Sequence, residues 1–280
     1  MQITKLINLA SNNLKNKDIK THQLDSELIL SDLLKKEREN LLINLDVEVS
    51  QRVVNQFNKK INRRSDKEPI AYILKKKEFW SKDFYVNKNT LIPRPETELL
   101  TESVIKMFKN KKIFFLDIGT GTGCIILSIL SDIKYSRGIG VDISRKAIDV
   151  AKINARKFDL LNRVKFYCKP FEEIYSSKFD LIVSNPPYIK SADIKNLSED
   201  IKKFEPKLAL DGGNDGLDVI KKVIYKSRTI LKKCGTLALE IGKGQQYDVS
   251  QILKDQGFTI KVLVKDYQNN VRCILANIRN

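Results

Sequence analysis

Asn185-Pro186-Pro187-Tyr188 is the stretch of this 280-residue chain whose residue types could do chemistry most directly. Asn185 offers a side-chain carbonyl, and Pro186 a main-chain carbonyl on a residue with no N–H of its own. Two acceptors held side by side can take both hydrogens of a planar –NH2 group. An amide or exocyclic base nitrogen is a poor nucleophile because its lone pair is delocalised. Holding both N–H groups aims that nitrogen at an electrophile and favours the positive charge that develops on it. Tyr188 supplies a flat face for a planar π system. The segment therefore suits transfer of a group onto a planar nitrogen. A proline-terminated strand end of purely structural meaning reads the same way, so the residues before it matter.

Those residues describe a donor site. Ile113-Phe114-Phe115-Leu116-Asp117 is followed by Gly119-Thr120-Gly121-Thr122-Gly123 and an apolar helix. Glycines at a strand-to-helix turn let the backbone approach a ligand closely. A dinucleotide fingerprint needs Gly-x-Gly-x-x-Gly, and here the third glycine falls one position early, with Cys124 in its place. No Gly-Lys-Ser/Thr follows, which excludes a Walker loop. Asp117 suits a ligand with a cationic group better than a pyrophosphate. The next strand ends in Asp142, twenty-one residues past Gly121, where a carboxylate can accept both hydroxyls of a ribose. Phe171, after the third strand, can stack on adenine or serve as an ordinary core aromatic. A cationic amino-acid end, a ribose and an adenine without phosphates together describe S-adenosylmethionine.

The elements that must position these groups follow from periodicity. Strands are predicted at 113–117, 138–142, 164–168, 179–184, 235–241, 258–265 and 271–278, and helices at 96–109, 123–133, 145–157, 215–232 and 245–256. This alternation predicts an α/β fold with a doubly wound, Rossmann-like, mostly parallel sheet. Only Asp266–Asn270 separates the last two strands, which predicts an antiparallel edge hairpin. Leu181-Ile182-Val183 reads as a strand covered on both faces, stopped by the two prolines at the carboxyl end where open α/β sheets bind ligands.

Before the sheet, residues 1–70 read as a helical bundle. Ile3, Leu6, Ile7, Ala10 and Leu14 form one stripe, and Leu24, Leu28, Leu33 and Leu34 a second. Leu41, Leu42 and Leu45 mark a short third helix, and Val53, Val54, Phe57 and Ile61 a fourth. The bundle carries no visible catalytic group, so it is either a substrate-binding module or a structural cap. Residues 71–94 read as a β-hairpin linker, with short strands at Tyr72-Ile73-Leu74, Phe79-Trp80 and Phe84-Tyr85-Val86. The sheet domain then spans 95–280. Pro95, Glu96 and Glu98 suit the first turn of a helix; alternatively Arg94, Glu96 or Thr97 edges a ligand.

Composition narrows the class further. Lys and Arg number 51 against 34 Asp and Glu, a net charge of +17, spread along the chain without a basic tail. Either an acidic or nucleic-acid-associated partner or a Lys-, Ile- and Asn-rich composition accounts for it. Cys124, Cys168, Cys234 and Cys273 match no metal or redox spacing and read as core thiols in a reducing cytosol. No metal site is expected. The one histidine, His22, sits in a Lys-rich N-terminal segment, which argues against a His-based centre. Without an apolar run of membrane length or a secretory signal, a cytoplasmic enzyme with no membrane partner is expected.

With these residues in hand, the chain resembles the HemK/PrmC protein-(glutamine-N5) methyltransferases, which modify peptide-chain release factors. The resemblance runs through Leu24-Asp25-Ser26-Glu27-Leu28, Glu68-Pro69-Ile70-Ala71-Tyr72-Ile73 and Pro93-Arg94-Pro95-Glu96-Thr97-Glu98. It continues through the glycine turn, Val141-Asp142-Ile143-Ser144, Asn185–Tyr188, Asp211-Gly212-Gly213 and Leu239-Glu240-Ile241-Gly242. It implies a class I S-adenosylmethionine-dependent methyltransferase in which Asp117, Gly119, Thr120, Gly121, Thr122, Gly123, Asp142, Phe171 and Asn185 hold the cofactor. It also implies that Asn185 and Pro186 bind the substrate glutamine amide and orient it for catalysis, with Pro187 and Tyr188 beside it. The implied substrate is the Gly-Gly-Gln glutamine of class 1 peptide-chain release factors, with no nucleic acid required. A ribosomal-protein glutamine or a nucleic-acid base are the alternatives. Lys75 and Ser81 stand where relatives usually carry glycine, and Phe171 where tryptophan is common.

Overall fold

The computed structural model describes residues 1–175 and 178–279. The N-terminal stripes form α1 (Ile3–Lys15), α2 (His22–Leu34), α3 (Arg38–Ile43) and α4 (Gln51–Ser65), followed by a single turn, α5 (Ile70–Leu74). α1 buries Ile3, Leu6, Ile7, Ala10 and Leu14. α4 is capped by the Ser50 hydroxyl, which accepts the Val53 N–H, and buries Val54, Phe57 and Ile61. α2 departs from the expected stripe: Leu24 is exposed, while Ile29 and Leu30 are fully buried. Two ion pairs explain the rotation. Asp25 meets Arg64 and Glu27 meets Arg38, each at 2.6 Å, and both carboxylates are buried. A buried carboxylate is strongly destabilising without its partner, so the arginines set which face of α2 turns inward.

Tyr72-Ile73-Leu74, expected as a strand, belongs to α5. A three-residue apolar run carries no periodicity, and here Pro69 starts the turn and Lys75 ends it in the left-handed region at φ 55°. The remaining elements are β1 (Lys76–Phe79), β2 (Lys82–Tyr85), α6 (Pro95–Phe108), β3 (Phe114–Ile118), α7 (Cys124–Asp132), β4 (Arg137–Asp142), α8 (Arg145–Lys157) and β5 (Val164–Cys168). They continue with β6 (Phe179–Ser184), α9 (Glu199–Phe204), α10 (Asp218–Ile230), β7 (Leu231–Glu240), α11 (Gln246–Asp255), β8 (Phe258–Lys265) and β9 (Val271–Ile278). The chain divides into two units, Met1–Lys76 with Ser198–Phe204, and Lys77–Leu197 with Glu205–Asn280.

In the second unit, seven strands run in the order β5-β4-β3-β6-β7-β9-β8. β3 pairs in parallel with β4 on one side and β6 on the other, and β9 is antiparallel to both β7 and β8. The sheet is therefore doubly wound with an antiparallel edge hairpin. The direction of winding reverses between β3 and β6, and a crevice opens at their carboxyl ends. Two apolar layers cover the faces, one including Ile220, Val223 and Ile224 of α10, the other Leu100 and Val104 of α6 with the α7 isoleucines.

The β1–β2 hairpin turns through Trp80 and Ser81, at φ 53° and 52°. Two positive φ values in a two-residue turn match the twist of a hairpin, a conformation glycine adopts more easily than serine. Trp80 donates its backbone N–H to Glu98 (2.8 Å) and its ring Nε1 to Asp132 (2.9 Å). Phe79 and Phe84 pack edge to face, and Phe84 meets Phe158 with ring centroids 4.8 Å apart.

Candidate active site

The glycine turn leaves β3 with Gly119, Gly121 and Gly123 at φ 72°, 53° and 79°. A Cβ on Gly119 would meet no atom within 4 Å, and one on Gly121 only the Gly119 oxygen at 3.9 Å. The backbone there borders open space that a side chain would fill. Gly119 and Thr120 both donate their N–H to the Val141 carbonyl at the end of β4 (2.9 and 3.0 Å), which ties the turn to the next strand. Asn154 of α8, fully buried, ties it to the hairpin. Its Nδ2 donates to the Thr122 and Tyr85 carbonyls (2.9 and 3.0 Å), and its Oδ1 accepts the Tyr85 N–H (2.7 Å).

Asp142 ends β4 with Oδ2 accepting the Gly121 N–H (3.0 Å) and Oδ1 accepting that of Ser144 (2.9 Å). Burial raises its pKa, opposed by these N–H groups. Asp117 lies beneath the turn, fully buried. Its Oδ2 accepts the Thr120 hydroxyl (2.6 Å), and its Oδ1 has no hydrogen-bond partner. Burial pushes this carboxyl up to about 7, with the nearby Asp142 charge adding to the effect. An orphaned buried carboxylate oxygen next to the turn fits a ligand that brings a cation.

A cavity of about 290 Å³ occupies the crevice. Gly119, Thr120, Gly121, Thr122, Asp142 and Phe171 line it, together with Asn185, Pro186 and Pro187. Of the residues expected at the site, Asp117, Gly123 and Tyr188 do not line it. Asp117 sits under the turn. A Cβ on Gly123 would come within 3.0 Å of the Leu127 side chain, so this glycine permits close packing of turn and helix. The Tyr188 ring packs against the apolar layer, and its hydroxyl donates to Glu240 Oε1 (3.3 Å). Arg94 and Thr97, one of the two readings of their segment, do line the cavity.

The Asn185 tip is held from several directions. Asn185 Nδ2 donates to Thr97 Oγ1 (3.1 Å), which turns its carbonyl oxygen away from Thr97. Gln245 Nε2 donates to the Tyr188 and Gly216 carbonyls, both at 3.1 Å, while its Oε1 accepts the Gly242 N–H (2.8 Å). The loop around residues 211–218 is a clamp on the tip. The Ile189 N–H donates to the Leu210 carbonyl (3.1 Å) and its carbonyl accepts the Gly212 N–H (2.8 Å), and a Cβ on Gly212 would lie 2.8 Å from the Pro187 oxygen. Glu205, buried, accepts the Ile92 N–H (3.2 Å) and Arg94 Nη2 (2.6 Å), fixing the segment that delivers Thr97.

Glu205, Glu240 and Gln245 were not singled out from the sequence as parts of the site. One signal was available: Glu240 directly follows the buried apolar run Leu237-Ala238-Leu239, a costly place for an unpaired carboxylate. Burial pushes it up to about 7, against hydrogen bonds from Thr97 and Tyr188. Burial also pushes the Cys124 thiol up to about 12, which keeps it from acting as a thiolate nucleophile. Cys273 is buried, but Cys168 and Cys234, expected in the core, are exposed: Cys168 ends the edge strand β5, and Cys234 lies at a left-handed kink (φ 59°) in the exposed start of β7. Among the described residues no cluster of side chains could hold a metal ion, and no helix is long and apolar enough to cross a membrane.

A family described as a methyltransferase domain matches residues 109–256, more than half of the chain, and one described as the PrmC N-terminal domain matches residues 5–74. The methyltransferase of Pyrococcus furiosus shares the fold, with a TM-score of 0.53 at 15% identity over 79% of this chain and 96% of that one. Sheet order, glycine turn and crevice are those of a class I S-adenosylmethionine-dependent methyltransferase. The release factor glutamine methyltransferase of Clostridium acetobutylicum is 40% identical across 99% of this chain and 98% of its own length. The bifunctional methyltransferase of Rickettsia conorii is 34% identical over 98% of this chain, which spans only 57% of that longer protein. The chain belongs to the release factor glutamine methyltransferase family.

Proposed function

We propose that this protein methylates the side-chain amide nitrogen of the glutamine in the Gly-Gly-Gln motif of class 1 peptide-chain release factors. The observation that carries this reading is the Asn185 tip. Thr97 takes the amide nitrogen of Asn185, so its carbonyl oxygen is the end left free, and Asn185 and Pro186 both line the cavity. Two acceptors on consecutive residues of a cavity wall suit a primary amide.

In this reading the backbone of Gly119 to Thr122 and the Asp142 carboxylate hold S-adenosylmethionine, with Asp142 on the ribose and Phe171 beside the adenine. Asp117 lies where its unpartnered oxygen answers the cationic amino-acid end, directly or through the turn. Bound there, the cofactor supplies a sulfonium-activated methyl group. Asn185 and Pro186 hold both amide hydrogens and aim the nitrogen, and Pro187 borders the amide. Tyr188 stiffens the tip from behind. After transfer the nitrogen releases a proton to water, so no dedicated base is needed. Positioning alone supplies large rate factors when the donor is already activated. The Met1–Lys76 unit is proposed to recognise the folded release factor, and the reaction takes place in the cytoplasm, where its substrate works.

The test is methyl transfer from labelled S-adenosylmethionine to purified release factor, with ribosomal protein and DNA alongside and the site mapped by mass spectrometry. A methyl on the Gly-Gly-Gln glutamine, absent from a Gln→Ala release factor, is the expected result. Label on ribosomal protein or nucleic acid alone would keep the cofactor and overturn the substrate.

A further inference from the structure

We infer that Gln245 is a positioning residue for methyl transfer: its side-chain amide fixes the far end of the proline tip against the loop at 211–218 and so aims the Asn185 and Pro186 carbonyls. The inference rests on the reading above, in which those two carbonyls hold the substrate amide.

The tip behaves as a short rod. Pro186 and Pro187 fix their own φ, and each restricts the residue before it, so residues 185–187 have little internal freedom. A rod is aimed at its ends. The near end is Ser184, in register with Ile118 of β3 and Leu239 of β7, its hydroxyl donating to the Ile118 carbonyl (2.9 Å). The far end lies beyond the end of β6, so its direction depends on what meets Tyr188 and Ile189.

Gln245, the residue before α11, meets it there. Its Nε2 donates to the Tyr188 and Gly216 carbonyls, and its Oε1 accepts the Gly242 N–H. Among the described residues no other hydrogen bond reaches these three backbone groups. The amide has one workable orientation, because reversal would set its oxygen against two carbonyls and its –NH2 against an N–H. The main chain of Gln245 is fixed as well: its N–H donates to the Gly242 carbonyl (3.2 Å), and its carbonyl accepts the Val249 N–H (3.0 Å) in the first turn of α11. Two glycines leave the space this amide fills. A Cβ on Gly216 would lie 2.9 Å from Gln245 Nε2, and one on Gly242 would lie 2.9 Å from Oε1.

The loop joined to the tip is itself braced. Asp211 Oδ1 accepts the Ser191 hydroxyl (2.6 Å) and the Gly213 N–H (3.1 Å), and the Ser191 N–H donates to the Gly213 carbonyl (2.9 Å). Gln245 does not line the cavity, so it acts through the tip rather than on a ligand.

Gln245→Ala should lower turnover of release factor at saturating substrate by about tenfold or more and leave the S-adenosylmethionine dissociation constant within about twofold. Gln245→Glu keeps the shape without the two donors and should lose as much. Cofactor titration counts the folded sites, so lost fold cannot pass for lost turnover. In an Asn185→Ala background, where half of the aimed pair is gone, Gln245→Ala should cost less than about threefold more. Turnover of Gln245→Ala within about twofold of wild type would overturn the inference, as would cofactor affinity falling in step with turnover, wild-type turnover in Gln245→Glu, or a full additional loss in the Asn185→Ala background. Hydrogen exchange in the protein without substrate tests the contact separately. The N–H groups of Ile189, Gly212 and Gly242 should exchange faster in Gln245→Ala than in wild type. Unchanged exchange overturns the inference whether or not release factor is methylated. A wild-type protein that leaves release factor unmethylated, with exchange that responds to Gln245→Ala, supports the contact and strikes the proposed substrate alone.

Discussion

The glycine turn after β3 and the proline tip after β6 grow from neighbouring parallel strands and border one cavity, yet they reach rigidity by opposite routes. The turn is shaped by its own residues: three glycines at positive φ, tied to the strand beside them. The tip is stiffened by two prolines, but its Asn185 amide is held by Thr97, its Tyr188 hydroxyl by Glu240, and its backbone is clamped by Gln245 and the loop at 211–216. The comparison separates a site made by local conformation from one made by tertiary agreement. The first is expected to govern cofactor affinity, the second the rate of transfer.

Asn185→Ala tests the tip most severely. Losing an acceptor that matters most in the transition state should lower turnover about 10²–10³-fold while cofactor affinity holds. A near-wild-type rate at saturating substrate would break the division. Asp142→Ala tests the turn. It removes a charged acceptor and should raise the S-adenosylmethionine dissociation constant by roughly 10–100-fold, measured by calorimetry. A lower rate at saturating cofactor with unchanged affinity would reverse the assignment.

Acidity offers a gentler probe of both sides. Asp117 belongs to the turn and Glu240 to the tip, and burial raises each to about 7. A carboxyl whose folded pKa lies above its unfolded value favours the fold while neutral. Its contribution is complete below the unfolded value and is lost as pH climbs through the folded one. The cofactor-free protein should therefore lose stability from about pH 4 to pH 7 through these two groups, with no further loss from them at higher pH. Asp117→Asn and Glu240→Gln should each flatten the pH dependence of the melting temperature. An unchanged profile in either variant would remove that carboxyl from the account. Ser81→Gly serves as the control distant from both regions. Relieving serine of its left-handed conformation should add about 1 kcal/mol, roughly 2–4 °C in melting temperature, and leave activity alone. A lower melting temperature would mean that the serine side chain matters at this turn.

How much the sequence disclosed follows the same division. The glycine spacing, the position of Asp142 and the buried run before the prolines are local patterns, and they anticipated a doubly wound sheet with its crevice at the carboxyl ends of the strands. Tyr72-Ile73-Leu74 was too short to reveal its period. The inward face of α2 was decided by Arg38 and Arg64, 11 and 39 residues from their carboxylates. Glu240 meets Tyr188 across 52 residues, and Asn185 meets Thr97 across 88. Bonds of that reach leave no trace in spacing, because what joins them is the folded sheet. The grouping of Ser198–Phe204 with the N-terminal helices has the same origin.

Trp80 gives the molecule a private optical channel. It is the sole tryptophan of the chain, and Met1–Lys76 contains none. Its indole hydrogen is spent on Asp132 at the end of α7, so its emission reads the junction of hairpin and sheet domain. A fluorescence melt therefore follows one unit, while far-ultraviolet dichroism sums both. The gap between the two curves measures, without any label, whether the helical unit unfolds with the catalytic one or on its own.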